Sequence, residues 1–189
     1  MKKIITTILL SAGLLSTQAL AEESKMYVGL DIGTSLNSFT VDGGDDLDSD
    51  STNFKLKYGY HLQDNLRVQG YYQYESYDDG VYNQPSSATL NELGVDVIKA
   101  FDIDSAWSPF VQGGLGYGMM SVDEYSESSA TEFGVKIGGG IMYAINPSYE
   151  LVGGLDLQYR NWTDIVNDSG AHAVTGTTTQ FYIGGNFHF

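Results

Sequence analysis

Residues 177–189 read TTTQFYIGGNFHF. Successive side chains of an extended strand point to opposite faces, so Phe181, Ile183, Gly185, Phe187 and Phe189 share one face. Gln180, Tyr182, Gly184, Asn186 and His188 share the other. The apolar face runs to the last residue, where chains are ordinarily polar and frayed. A soluble sandwich ending in a buried strand and a sheet with an apolar exterior both accommodate this pattern. The preceding residues decide between them.

The chain has 189 residues, with 23 Gly, 14 Tyr, 8 Phe, 3 Pro and no Cys. Gly and Tyr in this abundance point to strands and turns. Residues 1–21 have the parts of a secretory signal peptide: Lys2 and Lys3, an apolar stretch from Ile4 to Leu15, and Ala19-Leu20-Ala21 as a cleavage site. The expected division is therefore a cleaved signal peptide over 1–21 and one domain over 22–189. Loss of the two lysines takes the formal charge from −15 to −17. Such a charge disfavours nucleic acid, and contact with anionic head groups would need bridging cations. No later segment approaches the ~20 apolar residues of a spanning helix.

Eight segments alternate with a period of two: 25–36, 53–62, 66–76, 90–101, 109–120, 131–145, 149–161 and 177–189. In the first, Val28, Leu30, Ile32 and Leu36 oppose Tyr27, Gly29, Asp31, Gly33 and Ser35. In the seventh, Leu151, Leu155, Leu157 and Tyr159 oppose Glu150, Gly154, Asp156, Gln158 and Arg160. Only the fourth breaks step, because Lys99 falls on its apolar face; a bulge near Ile98 or a lysine reaching out of the membrane edge would each account for it. The links alternate too. Short turns at 63–65, about 102–108, and 146–148 interleave with acidic, Ser/Asn/Gly-rich links at 37–52, 77–89, 121–130 and 162–176, which carry no Lys or Arg.

One face of glycines and charges makes no sense as the core of a sandwich, whereas it suits a lumen. A sheet spans hydrocarbon only when closed, since every backbone amide must be paired. The expected fold is thus all-β, an eight-stranded antiparallel up-and-down transmembrane β-barrel, each strand long enough to cross at a tilt. Long polar links on one side and short turns on the other match the sidedness of such barrels, with both termini on the short-turn side. Tyr60, Tyr74, Tyr149, Tyr159, Phe187 and Phe189, near strand ends, suit two interfacial girdles.

The stretches YGYHLQDNLRVQGYYQYES (58–76), SPFVQGGLGYG (108–118) and GGGIMYAINPSYELVGGLDLQYR (138–160), with the terminal FYIGGNFHF, carry a family resemblance. Together they resemble the small outer-membrane β-barrel family that includes the OmpA transmembrane domain and the opacity-type surface proteins. The resemblance implies the outer membrane of a Gram-negative bacterium. It also implies that Tyr182, Gly184, Phe187 and Phe189 form the signal read by the barrel assembly machinery. OmpA continues into a peptidoglycan-binding domain, whereas this chain stops at the closing strand, so cell-wall anchoring is not implied.

The inner face carries Asp31, Lys55, Lys57, Arg67, Glu75, Asp96, Lys136, Glu150, Asp156 and Arg160, together with Glu92 and Glu132. Strand counting puts Asp31, Lys55, Lys57, Asp96 and Asp156 near mid-barrel, Glu75, Lys136 and Arg160 nearer the long links, and Arg67 and Glu150 low. Both signs at each depth predict a salt-bridged plug, because an unpaired buried charge costs several kcal/mol. Rearranging pairs that form a narrow ion path are the alternative.

Asp46, Asp48 and Asp50 have the spacing of a calcium loop's first ligands, but Ser51 stands where the turn glycine belongs and Lys57 where the closing glutamate belongs. An EF-hand is excluded; a weak site bridging lipopolysaccharide phosphates through a divalent cation is what remains. Catalysis is not expected. His172 has Asp164, Asp168 and Ser169 near it, but residues 172–174 read His-Ala-Val, without the Ser or Thr found two residues after the histidine in lipid A deacylase barrels. The sequence thus predicts a monomeric, non-enzymatic barrel without cofactors, contributing to envelope integrity or surface interaction through its loops. A narrow channel or a loop-borne adhesin are the alternatives.

Overall fold

The computed structural model describes residues 25–41, 47–78, 88–103, 105–122, 129–167 and 170–189. The expected signal peptide, 1–21, and the boundary at Glu22 lie outside the described residues. Eight strands follow one another: β1 Met26–Val41, β2 Leu47–Gln63, β3 Leu66–Tyr77, β4 Ala88–Ala100, β5 Trp107–Val122, β6 Ser129–Asn146, β7 Tyr149–Asn167 and β8 Gly170–His188. Each pairs antiparallel with the next, and β8 returns to β1, Tyr27 facing His188 and Val41 facing Val174, so the sheet closes into a barrel without edges.

Side-chain alternation distributes the chemistry as the sequence predicts. Leu93, Ile137 and Ile183 are 65%, 67% and 65% exposed, whereas Arg160, Lys55, Glu75, Glu92, Asp96 and Asp156 are among the most deeply buried side chains. The barrel is polar inside and apolar outside, the reverse of a water-soluble protein, because hydrocarbon rather than a protein core receives the apolar face. At the short-turn end Trp107 stacks on Tyr143 and Tyr149 on Phe187, with Phe189 beyond it.

Two expectations need correction. The strands run well past the segments that alternation marks: β1 reaches Val41, β2 begins at Leu47, and β7 and β8 pair up to Asn167 and Gly170. Much of 37–52, 121–130 and 162–176 is therefore strand rather than loop. Beyond the hydrocarbon band both faces meet polar surroundings, so the ladder continues without the apolar alternation that betrays it. The bulge near Ile98 is also absent. The β3–β4 and β4–β5 registers run unbroken through Lys99, and Lys99 Nζ instead donates to Asn65 Oδ1 at 2.6 Å on the neighbouring short turn. Shifts of register occur between His61 and Gln63, Ala144 and Asn146, and Trp162 and Ile165.

Candidate functional site

The lumen is stratified. Its middle layer sets three lysines against three aspartates. Asp31, Asp96 and Asp156 each stand in register with a glycine, Gly184, Gly114 and Gly138, so the carboxylate lies over a neighbouring strand where any Cβ would collide with it. Lys57 Nζ donates to Asp31 Oδ1 at 2.6 Å, Lys136 Nζ lies 2.9 Å from Asp96 Oδ1, and Lys55 Nζ lies 3.8 Å from Asp156 Oδ2. Neutral donors complete the set: Gln69 to Asp96 at 3.0 Å and Gln112 to Asp156 at 2.6 Å. Lys55 also stands over the rings of Tyr71 and Tyr182, and Lys136 over Tyr71 at 3.8 Å. These tyrosines, like Tyr27, lie in register with a glycine of the adjacent strand, Gly94, Gly154 and Gly59, whose missing side chain makes room for the ring. A cavity of about 10 Å³ beside Asp31 and Lys57 has room for the centre of a single water.

Above it, toward the long links, Arg160 is surrounded by three carboxylates. Its Nη2 lies 2.8 Å from Glu75 Oε2 and 3.3 Å from Glu92 Oε2, and its Nε lies 3.3 Å from Glu132 Oε2. Tyr77 accepts from Arg160, Ser51 donates to Glu75, and Tyr71 and Gln158 donate to Glu92. Neither Glu132 oxygen has a hydrogen-bond partner, so this layer carries two more formal negative charges than positive ones. Over it lies an apolar layer of Phe39, Tyr77, Ala88, Leu90, Met120, Trp162 and Val174.

Toward the short turns, Arg67 grips Glu150 with both terminal nitrogens, at 2.8 and 3.0 Å, and Asn186 donates to the same carboxylate at 2.8 Å. The guanidinium lies over Tyr27, whose hydroxyl donates to Gln69 at 2.8 Å. A second apolar cluster, Ile98, Ala100, Phe110, Met142, Val152 and Tyr182, fills this half chiefly on the β4 to β7 side.

All ten lumen charges expected from the sequence face inward, and each has an oppositely charged partner. One depth is corrected: Lys136 belongs to the middle layer, opposite Asp96, because the stagger between tilted strands changes levels that counting along each strand treats as equal. The apolar layers were not anticipated. They continue the inward parity of strands already assigned: Tyr77 lies two residues past Glu75, Leu90 two before Glu92, and Phe110 two before Gln112.

On β8, Tyr182 and Gly184 face the lumen, while Phe187 and Phe189 face outward. Asp46 lies outside the described residues. Asp48 and Asp50 are exposed on one face of β2, where extended geometry holds them about 7 Å apart, so they cannot wrap an ion as a calcium loop would. The side chains of Asp164, Asp168, Ser169 and His172 likewise lie outside the described residues. Among the described residues no three His, Cys, Asp or Glu side chains are arranged to hold a metal ion.

The family model of the outer membrane protein beta-barrel domain matches residues 7–189. None of the curated proteins matches in sequence. Among solved structures, Neisserial surface protein A is similar with a TM-score of 0.67 and 21% identity, covering 87% of this chain and 97% of that one. OprG from Pseudomonas aeruginosa has a TM-score of 0.55 and 12% identity, covering 89% and 99%. AlkL, determined in lipid bilayers, has a TM-score of 0.52 and 12% identity, covering 92% and 94%. At these identities the likeness is one of fold.

Proposed function

Because the chain belongs to the outer membrane protein beta-barrel domain family, and so resides in the outer membrane of a Gram-negative bacterium, we propose that it serves there as a non-enzymatic, non-conducting monomer. Its lumen acts as a structural plug, and its acidic links face the exterior, contributing to envelope integrity or surface interaction. The observation that carries this reading is the stacking of three charged layers between two apolar clusters. A permeating ion would have to pass the dry layer of Leu90 and Trp162 and then separate pairs that are almost wholly withdrawn from solvent, each separation costing several kcal/mol. The same enclosure argues against catalysis, since no substrate reaches the polar groups behind the apolar layers.

Two partner proposals accompany it. Tyr182, Gly184, Phe187 and Phe189 are the residues presented to the assembly machinery. Exposed acids at the long-link end, among them Asp48 and Asp50, hold lipopolysaccharide phosphates through divalent cations, as hard ions favour oxygen ligands. Single-channel recording of the refolded barrel in planar bilayers tests the main reading: no discrete conductance steps are expected. Reproducible openings would overturn it in favour of a narrow channel.

A further inference from the structure

The short-turn mouth holds two histidines that a salt-bridged plug does not need. His61, on β2, and His188, on β8, lie on either side of β1, and their side chains meet inside the barrel beside Tyr27. His61 Nε2 stands 3.3 Å from His188 Nδ1, with ring centroids 5.3 Å apart. The other nitrogen of His188, Nε2, faces Glu150 Oε1 at 3.8 Å. A carboxylate behind one ring nitrogen keeps hydrogen there and leaves the opposite nitrogen as a lone pair, the arrangement typical of metal-binding histidines. His188 therefore directs its Nδ1 lone pair at His61.

We propose that His61 and His188 form a binding site for one divalent transition-metal ion of the zinc class, tying β2 to β8 across β1. Two nitrogens each about 2.0–2.1 Å from a tetrahedral ion lie about 3.3–3.4 Å apart, which is the separation the rings already have. Binding replaces the hydrogen now between the rings, with His61 carrying its hydrogen on Nδ1 instead. His61 is half-exposed, so water completes the coordination, in keeping with the absence of a third protein ligand. The one cation against the site, Arg67, is neutralised by its two-pronged bond to Glu150. The ion would brace the seam where the barrel closes. There the His61 amide donates to Lys25 O at 2.7 Å and the Phe189 amide to Met26 O at 3.0 Å.

Titration of Zn²⁺ into the full refolded barrel in detergent, followed by calorimetry, tests the site. One equivalent is expected to bind, with a rise in the temperature at which the folded band converts on gels. His61→Asn and His188→Asn should each abolish binding, and Glu150→Gln should weaken it by roughly 10–100-fold. His172→Asn should bind as the parent does. Saturable binding that survives in both His61 and His188 variants, or an equal response to Mg²⁺, would overturn the site in favour of exterior acids. Should the variants not refold, ring resonances of His61 and His188 in the parent decide it by NMR: they must shift on Zn²⁺ addition, and unmoved resonances refute the proposal.

Discussion

Lys57 and Asp31 form the tightest ion pair of the middle layer, Nζ to Oδ1 at 2.6 Å between adjacent strands, with both side chains almost fully withdrawn from solvent. Lys57→Ala leaves Asp31 as an uncompensated buried charge and should destabilise the barrel by about 3–5 kcal/mol. Urea unfolding of the refolded protein measures the loss, and an unchanged midpoint contradicts it. Asp31→Asn combined with Lys57→Met should recover most of the stability, because the cost lies in the orphaned charge rather than in the missing bond.

The upper layer supports a prediction of the opposite sign. Glu132 adds a third carboxylate to a single guanidinium and has no hydrogen-bond donor. Glu132→Gln removes surplus negative charge at unchanged volume and should leave stability equal or higher. Glu75→Gln removes a carboxylate held by Arg160 and Ser51, and should cost about 1–3 kcal/mol. Parallel urea titrations compare the two, and equal losses would contradict the asymmetry.

Gly154 is where the Tyr182 ring rests. A Cβ there would meet the ring at 2.6 Å and Gly139 O at 3.0 Å, the latter a backbone atom that cannot swing away. Gly154→Ala should therefore cost about 1–3 kcal/mol through overpacking. Adding Tyr182→Leu should relieve part of it, and strictly additive losses in a double-mutant cycle would show that ring and glycine are not coupled.

Phe189 ends the closing strand with a backbone bond to Met26 and a ring stacked on Phe187, outside the lumen. Deletion of Phe189 should lower the amount inserted in the outer membrane without altering the lumen pairs. Quantifying folded protein in membrane fractions checks this; normal levels would contradict a role in assembly.

Where the chain meets lipid on one side and a crowded lumen on the other, its residues specify their own orientation. A period of two needs no tertiary information, so the eight strands, the outward set from Val28 to Phe189 and the inward set from Asp31 to Arg160 were readable directly. Beyond the hydrocarbon band that contrast disappears, and the extension of β1 to Val41 and of β2 back to Leu47 escaped notice for that reason.

The sequence by itself determined which charges share the lumen; only the tertiary structure decided which of them touch. Arg67 and Glu150 are 83 residues apart, and Arg160 and Glu75 are 85. Their meeting depends on strand tilt and on the stagger at closure, which are properties of the whole barrel rather than of any strand. The same closure carries Lys136 down to Asp96 and brings His61 to His188. Alternation along one strand assigns a face, but depth relative to the opposite wall exists only once β8 has joined β1.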